Sequence, residues 1–184
     1  MYLYGKTVVL RALEAEDMEM LRATVNDPDI EHLVGGWSFP VSRSAQMKWY
    51  DNQIIDKNNV RYAIEITENN EFIGMISLTN IDWKNRTGMS AIKLKQDAPH
   101  GRGYGCDAEF TLLKYAFEEL NLHRITANVL EYNIPSIKLH TKVGAKQEGI
   151  QREAIYKHGK YHDVILFGIL KEDFYSAAKE AKWS

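Results

Sequence analysis

The chain has 184 residues, of which 45% are apolar and 26% charged, with a formal net charge of −2. This length suits one domain, 1–184, with a sizeable core, and the charge balance gives no electrostatic reason to expect a nucleic-acid partner. One cysteine, Cys106, excludes an internal disulfide and a paired-cysteine zinc framework.

Residues 1–6 lack the basic region and long apolar run of a signal peptide. No apolar run reaches the length of a membrane span. The expected setting is therefore cytoplasmic and reducing, with no membrane partner. Residues 7–13 are short and β-branched and predict a strand. Met18, Leu21, Arg22 and Val25 then recur at helical spacing, with Glu16 and Asp17 in the first turn. Asn26-Asp27-Pro28-Asp29 breaks this helix. A second helical piece over 30–34 ends at Gly35-Gly36, and 37–41 form a loop. Ser42 or Ser44 caps a third helix running to about Asn58, with Met47, Trp49, Tyr50, Ile54 and Ile55 on one face.

Residues 61–67 and 71–81 predict two strands joined by a turn at Glu68-Asn69-Asn70. After a polar turn, 88–95 predict a further strand. A glycine-rich loop follows, then a helix to Leu120 with a stripe of Ala108, Leu112, Leu113, Ala116, Phe117 and Leu120. Residues 125–130 are a strand, Pro135 suits the first turn of a helix over 136–143, and Gly144 ends it. Residues 145–156 and 161–170 predict a hairpin around His158-Gly159-Lys160, and 172–182 a closing helix. The order β-α-α-α-β-β-β-α-β-α-β-β-α argues for an α+β fold. It predicts a mixed, mostly antiparallel sheet of about seven strands flanked by helices.

The stretch His100-Gly101-Arg102-Gly103-Tyr104-Gly105-Cys106 closes a strand and opens a helix. Its glycines permit a tight turn and close approach of a ligand. The unpaired N–H groups and positive dipole end of the following helix make a seat for an anion, most naturally a phosphate. A dinucleotide-binding fold would place such a loop in its first strand–helix turn, with an acid on the next strand. Here several strands precede the loop and residues 125–130 carry no acid. A phosphate loop ending in Gly-Lys-Ser/Thr is also missing.

These residues resemble the GNAT superfamily of acetyl-coenzyme A-dependent N-acetyltransferases. Gly103 and Gly105 match the family's Gln/Arg-x-x-Gly-x-Gly/Ala loop, with His100 in the Gln/Arg place. Asn133-x-x-Ser136-x-x-Leu139-x-x-x-x-Gly144 is similar to a second family motif. Leu3, Gly5, Val8, Leu10, Arg11 and Asp17 resemble the branch containing ribosomal-protein and spermidine N-acetyltransferases. Gln147, Gly149, Gly159, Tyr161 and Asp163 fit the same branch.

The resemblance implies acetyl-coenzyme A (acetyl-CoA) as cosubstrate. The N–H groups of Arg102, Gly103, Tyr104, Gly105 and Cys106 would face its pyrophosphate. Its pantetheine arm would pair with the free edge of the fourth predicted strand at Ile92 and Leu94. Asn133 and Ser136 would lie beside that arm, although a helix cap alone also explains Asn133. A backbone N–H near Leu94 would be the oxyanion donor. His140 stands where many relatives have a tyrosine that protonates the departing thiolate, a task a histidine can perform. A solvated polar position on a short helix is the alternative. Ser90 stands where many relatives have a glutamate that handles the amine proton. Tyr132 and Tyr104 are weaker acid candidates. Cys106 is expected to be a small loop residue rather than a nucleophile. His158, His162 and Asp163 are expected to be hairpin polar residues, with no metal site.

In this fold the first two helices wall the acceptor site. Residues 14–31 carry Glu14, Glu16, Asp17, Glu19, Asp27, Asp29 and Glu31 against Arg22 alone. Such a wall would attract a cation, although helix N-terminal acids give a blander account. Glu31 and Trp37, with Phe39, are the candidate substrate-binding residues. The implied function is transfer of an acetyl group from acetyl-CoA to a primary amine, such as a polyamine or amino sugar. The alternatives are a protein N-terminus as acceptor, or acetyl-CoA binding without turnover. Homodimers are common among such proteins, but no residue here argues for one.

Overall fold

Alternating β-branched and aliphatic residues build a succession of mostly antiparallel strands, and helices interrupt it three times. The structure, a computed structural model, describes residues 1–36, 39–53, 56–99 and 101–183. Its strands are β1 (Leu3–Tyr4), β2 (Val8–Arg11), β3 (Val60–Ile66), β4 (Glu71–Asp82), β5 (Thr87–Leu94), β6 (Arg124–Leu130), β7 (Lys146–Lys157) and β8 (Lys160–Leu170). Its helices are α1 (Met18–Asn26), α2 (Pro28–Leu33), α3 (Arg43–Gln53), α4 (Tyr104–Glu118), α5 (Ile134–Lys142) and α6 (Lys171–Glu180). The strands form one sheet in the order β1-β2-β3-β4-β5-β6-β8-β7. Every pairing is antiparallel except β5 with β6.

The α+β expectation holds, with eight strands among the described residues rather than seven. The added strand is β1. Two residues are too short to show periodicity, and only the partners Leu3↔Leu10 and Tyr4↔Val9 define it. The second helix starts at Pro28, not residue 30, because the Asp27 side chain accepts from the N–H groups of Asp29 (2.9 Å) and Ile30 (3.3 Å). Proline fits the first turn because that N–H has no helical partner. Ser42 is the residue that caps α3, its hydroxyl accepting from Ala45 N–H at 3.2 Å. Two residues of the expected α3 face, Ile54 and Ile55, lie outside the described residues. Met47, Trp49 and Tyr50 are only half-buried. The β7–β8 turn forms as expected, with His158 and Gly159 both at positive φ.

The core lies between the sheet and α4. Val8, Leu10, Ile64, Ile76 and Leu78 face Ala108, Leu112, Leu113, Ala116 and Phe117 from the helix. The helix also contacts α6, so almost its whole circumference is covered. That position sends its N-terminus, and the glycine loop before it, to the end of β5.

Candidate active site

Strands β5 and β6 run parallel, but their register covers only residues 87–89 against 124–126. Beyond Met89 they part, while β5 stays paired with β4 as far as Leu94. Among the described residues, the outer edge of residues 90–94 therefore has no neighbouring strand. Backbone N–H and C=O groups left along such an edge offer a strand-like ligand its hydrogen bonds. The gap is a cleft of about 450 Å³. Its walls are residues 89–93 of β5, residues 128–130 of β6, Asn133, Ser136 and His140 at α5, Val34 to Gly36 after α2, and Ala154 and Ile155 of β7.

The glycine loop lies at the end of β5. Gly101 and Gly103 adopt φ values of 76° and 83°, a region that costs other residues conformational energy. Gly103 is the N-cap of α4 and offers no side chain, so the first-turn N–H groups of that helix have no internal acceptor. A Cβ at Gly101 or Gly103 would meet nothing within 4 Å, so the outer side of the loop is open. Gly105 differs: a Cβ there would come 3.3 Å from Leu139 and 3.4 Å from Leu94. The loop is thus pressed against β5 and α5 on its inner side. Arg102 is exposed, and Cys106 is half-buried with its thiol pKa pushed up by that burial. The Tyr104 side chain turns into the core, away from the cleft, so only its backbone remains available at the loop. His100 lies outside the described residues.

Asn133 caps α5 and also ties it to α2. Its side-chain oxygen accepts from Ser136 N–H at 3.1 Å, and its amide donates to the Leu33 carbonyl at 2.8 Å. Tyr132 reinforces the tie, donating its hydroxyl proton to the His32 carbonyl at 2.7 Å and stacking on the His32 ring. Gly144 ends α5 at φ 96°, with Ala145 N–H donating to the His140 carbonyl at 2.9 Å. Within α5, His140 faces inward and is 4% exposed, its ring stacked on Phe167. The solvated alternative for this residue is thereby excluded. Burial lowers its pKa, and the negative charge of Glu109 works against that shift. Ser90, also buried, shares the cleft floor with it.

The structure therefore brings Ile92, Asn133, Ser136, Ser90 and His140 to one cleft and sets the glycine loop at its end. Leu94 packs beside Gly105 instead of lining the main volume. Glu31 is on α2, where Lys157 donates to its carboxylate and, at 2.8 Å, to its carbonyl. It lines a separate cleft of about 460 Å³ with Phe39, Tyr156 and His158. Trp37 lies outside the described residues. Other members of the acidic run also have local partners. Asp17 pairs with Arg11 at 2.8 Å, Glu19 pairs with Arg22, and Asp29 accepts from Gln96 at 2.7 Å. Among the described residues, no cluster of histidine, cysteine or carboxylate side chains stands as a metal site, and no helix is long and apolar enough to cross a membrane.

Two residues of the site were not singled out from the sequence. Lys93 lies along the cleft, its ammonium pKa lowered by burial. Glu109, 1% exposed, lines a small cavity that Ser90 and His140 also border. The signal for Glu109 was present, since it interrupts the apolar stripe of α4 next to Ala108. Amphipathic spacing alone does not say whether such an acid meets a partner.

Residues 7–146 match the family model described as an acetyltransferase (GNAT) domain. The SPbeta prophage-derived uncharacterized N-acetyltransferase YokL of Bacillus subtilis is 31% identical, over 94% of this chain and 95% of that protein. An uncharacterized N-acetyltransferase, p20, of Bacillus licheniformis is also 31% identical, over 94% of this chain and 97% of its own length. The crystal structure of spermidine N-acetyltransferase from Vibrio cholerae, in complex with CoA and spermine, superposes with a TM-score of 0.85. It shares 25% identity, and the match covers 92% of this chain and 98% of that one.

Proposed function

Because this chain belongs to the GNAT acetyltransferase family and uses acetyl-CoA, we propose that its acceptor is a small cationic amine of the polyamine type and that His140 carries the transferred proton. The observation that supports a working site is the opening between β5 and β6, with the glycine loop at its end and a buried histidine on its floor. The residues fit the cosubstrate. The orphan N–H groups of the loop suit a pyrophosphate, and the unpaired β5 edge suits the amides of a pantetheine arm. Arg102, Gly103, Tyr104, Gly105 and Cys106 would serve the first through their backbone. Ile92 and Leu94 would serve the second, with Asn133 and Ser136 alongside.

When bound, acetyl-CoA supplies an acetyl thioester. His140 is neutral near pH 7, because burial holds its pKa down. A neutral imidazole can accept the proton that the amine gives up and donate it to the departing sulfur. Ser90 and the backbone near Leu94 offer donors for charge on the carbonyl oxygen. The polyamine class is favoured by the relative solved with spermine. It is also favoured by the acidic composition of residues 14–31, although several of those acids have local partners.

Release of free thiol from acetyl-CoA, measured across spermidine, spermine, an amino sugar and a short peptide, tests the acceptor. Turnover of the polyamines above the others is expected. Turnover of the peptide alone would replace the acceptor class with a protein N-terminus. Tight cofactor binding without thiol release for any amine would remove the catalytic role.

A further inference from the structure

Glu109 is the buried acid that nothing in the fold accounts for. It is 1% exposed, and neither carboxylate oxygen has a hydrogen-bond partner among the described residues. Buried carboxylates are ordinarily paired with a cation or fully hydrogen-bonded. This one lines a small cavity of about 10 Å³ beside the cleft. That volume is about what one water needs. Ser90, Thr126 and His140 supply polar atoms to its wall, and Phe167 and Ile169 supply apolar ones. His140 and Ser90 border this cavity and the cleft together. The His140 side chain thus borders the small cavity that Glu109 lines as well as the cleft.

We propose that Glu109 is a positioning residue for His140. A single water in the small cavity joins its carboxylate to the imidazole, and that link sets the ring's tautomer, fixes its orientation and steadies it when it carries a proton. The inference rests on the reading of His140 as the proton carrier. It explains why an acid is kept inside an apolar stripe, where leucine would pack with less penalty. It also explains how a histidine buried by Phe167 can take up charge at all. Other charged groups are poorly placed to do this. On α4, the Asp107 carboxylate is held by residues 6–8, and the Cys106 thiol is pushed towards its neutral form. On α5, Lys142 is exposed and neighbours Cys106. From β5, β6 and β8 the cavity receives hydroxyl and apolar side chains only.

The test is a histidine NMR titration of the cofactor-free protein, comparing wild type with Glu109→Gln. Loss of the carboxylate should move the His140 midpoint to lower pH by about one unit, the scale of a nearby opposite charge, and change its tautomer signature. In parallel, kcat should fall about ten- to a hundredfold, as for lost outer-shell partners, with KM for acetyl-CoA little changed. If Glu109→Gln does not fold, Glu109→Met fills the same volume without polar atoms and carries the same readouts. An unmoved His140 midpoint and tautomer would overturn the inference, whatever the activity. A moved midpoint combined with full activity in His140→Ala would instead overturn the proton-carrier role while leaving the pairing of Glu109 with His140 intact.

Discussion

His140 is set between two opposed influences. Burial against Phe167 disfavours its charged form, and the Glu109 charge favours it, with burial the larger. Its folded pKa therefore lies below the unfolded value of about 6.5. In the window between the two, the unfolded chain binds more protons, so stability is lost as pH falls through about 6.5. His140→Leu should flatten the loss of melting temperature between pH 8 and pH 5. As the proposed proton carrier, His140→Ala should lower kcat by about a hundredfold, with little change in KM for acetyl-CoA. Steady-state thiol release checks this, and unchanged turnover would remove the role. The position of His140 in the motif was legible in the sequence. Its burial was not, because a short helix with lysines at 138 and 142 has a polar pattern overall.

At the scale of elements, the site depends on two helix ends. Gly103 starts α4 with φ 83° and no side chain between the first-turn N–H groups and solvent. Gly103→Val strains that backbone and puts a branched side chain over the N–H groups. Calorimetry with coenzyme A should show affinity reduced about tenfold or more, the equivalent of one or two lost hydrogen bonds. An unchanged dissociation constant would take the pyrophosphate away from this loop. Gly144 ends α5 at φ 96°, and a Cβ there would lie 2.6 Å from the Asp173 carbonyl. Gly144→Ala should cost about 2–4 kcal/mol in urea unfolding, since left-handed strain and a backbone clash add. Both glycines were readable as punctuation between periodic segments. The clash at Gly144 was not, because α6 comes from nearly 30 residues further along the chain.

At the scale of the molecule, one carboxylate joins both ends of the chain to the central helix. Asp107 accepts from the N–H groups of Lys6 (3.0 Å), Thr7 (2.7 Å) and Val8 (3.1 Å), from the Thr7 hydroxyl (2.9 Å) and from the Trp183 indole (2.6 Å). Burial pushes its pKa up, but Trp183, Lys6 and Thr7 outweigh that effect and leave it lowered. A lowered carboxylate adds stability above its unfolded pKa and loses it as pH falls through the folded value. Asp107→Asn should cost about 2–4 kcal/mol at pH 7, the scale of lost bonds to a charged group. The difference from wild type should shrink below about pH 4, where the unfolded carboxyl titrates. Denaturant midpoints at pH 7 and pH 3.5 measure both. Equal midpoints at pH 7 would show that the ends are held by packing alone.

The order of elements, the glycine loop and the Asn133 to Gly144 motif are properties of short windows of sequence. Periodicity, turn residues and fixed spacings act within about fifteen residues, so the chain alone determined them. It also determined the family, because those motifs follow in the right order. The tertiary structure decided what meets what. It opened β5 from β6 after three residue pairs, buried His140, left Glu109 near it with no hydrogen-bond partner among the described residues, and gave Glu31 to Lys157. Each of these is a contact between residues far apart in the chain, and no local pattern encodes the partner. For the glycine loop this means that its conformation was local, while its use depends on the strand edge that the fold sets beside it.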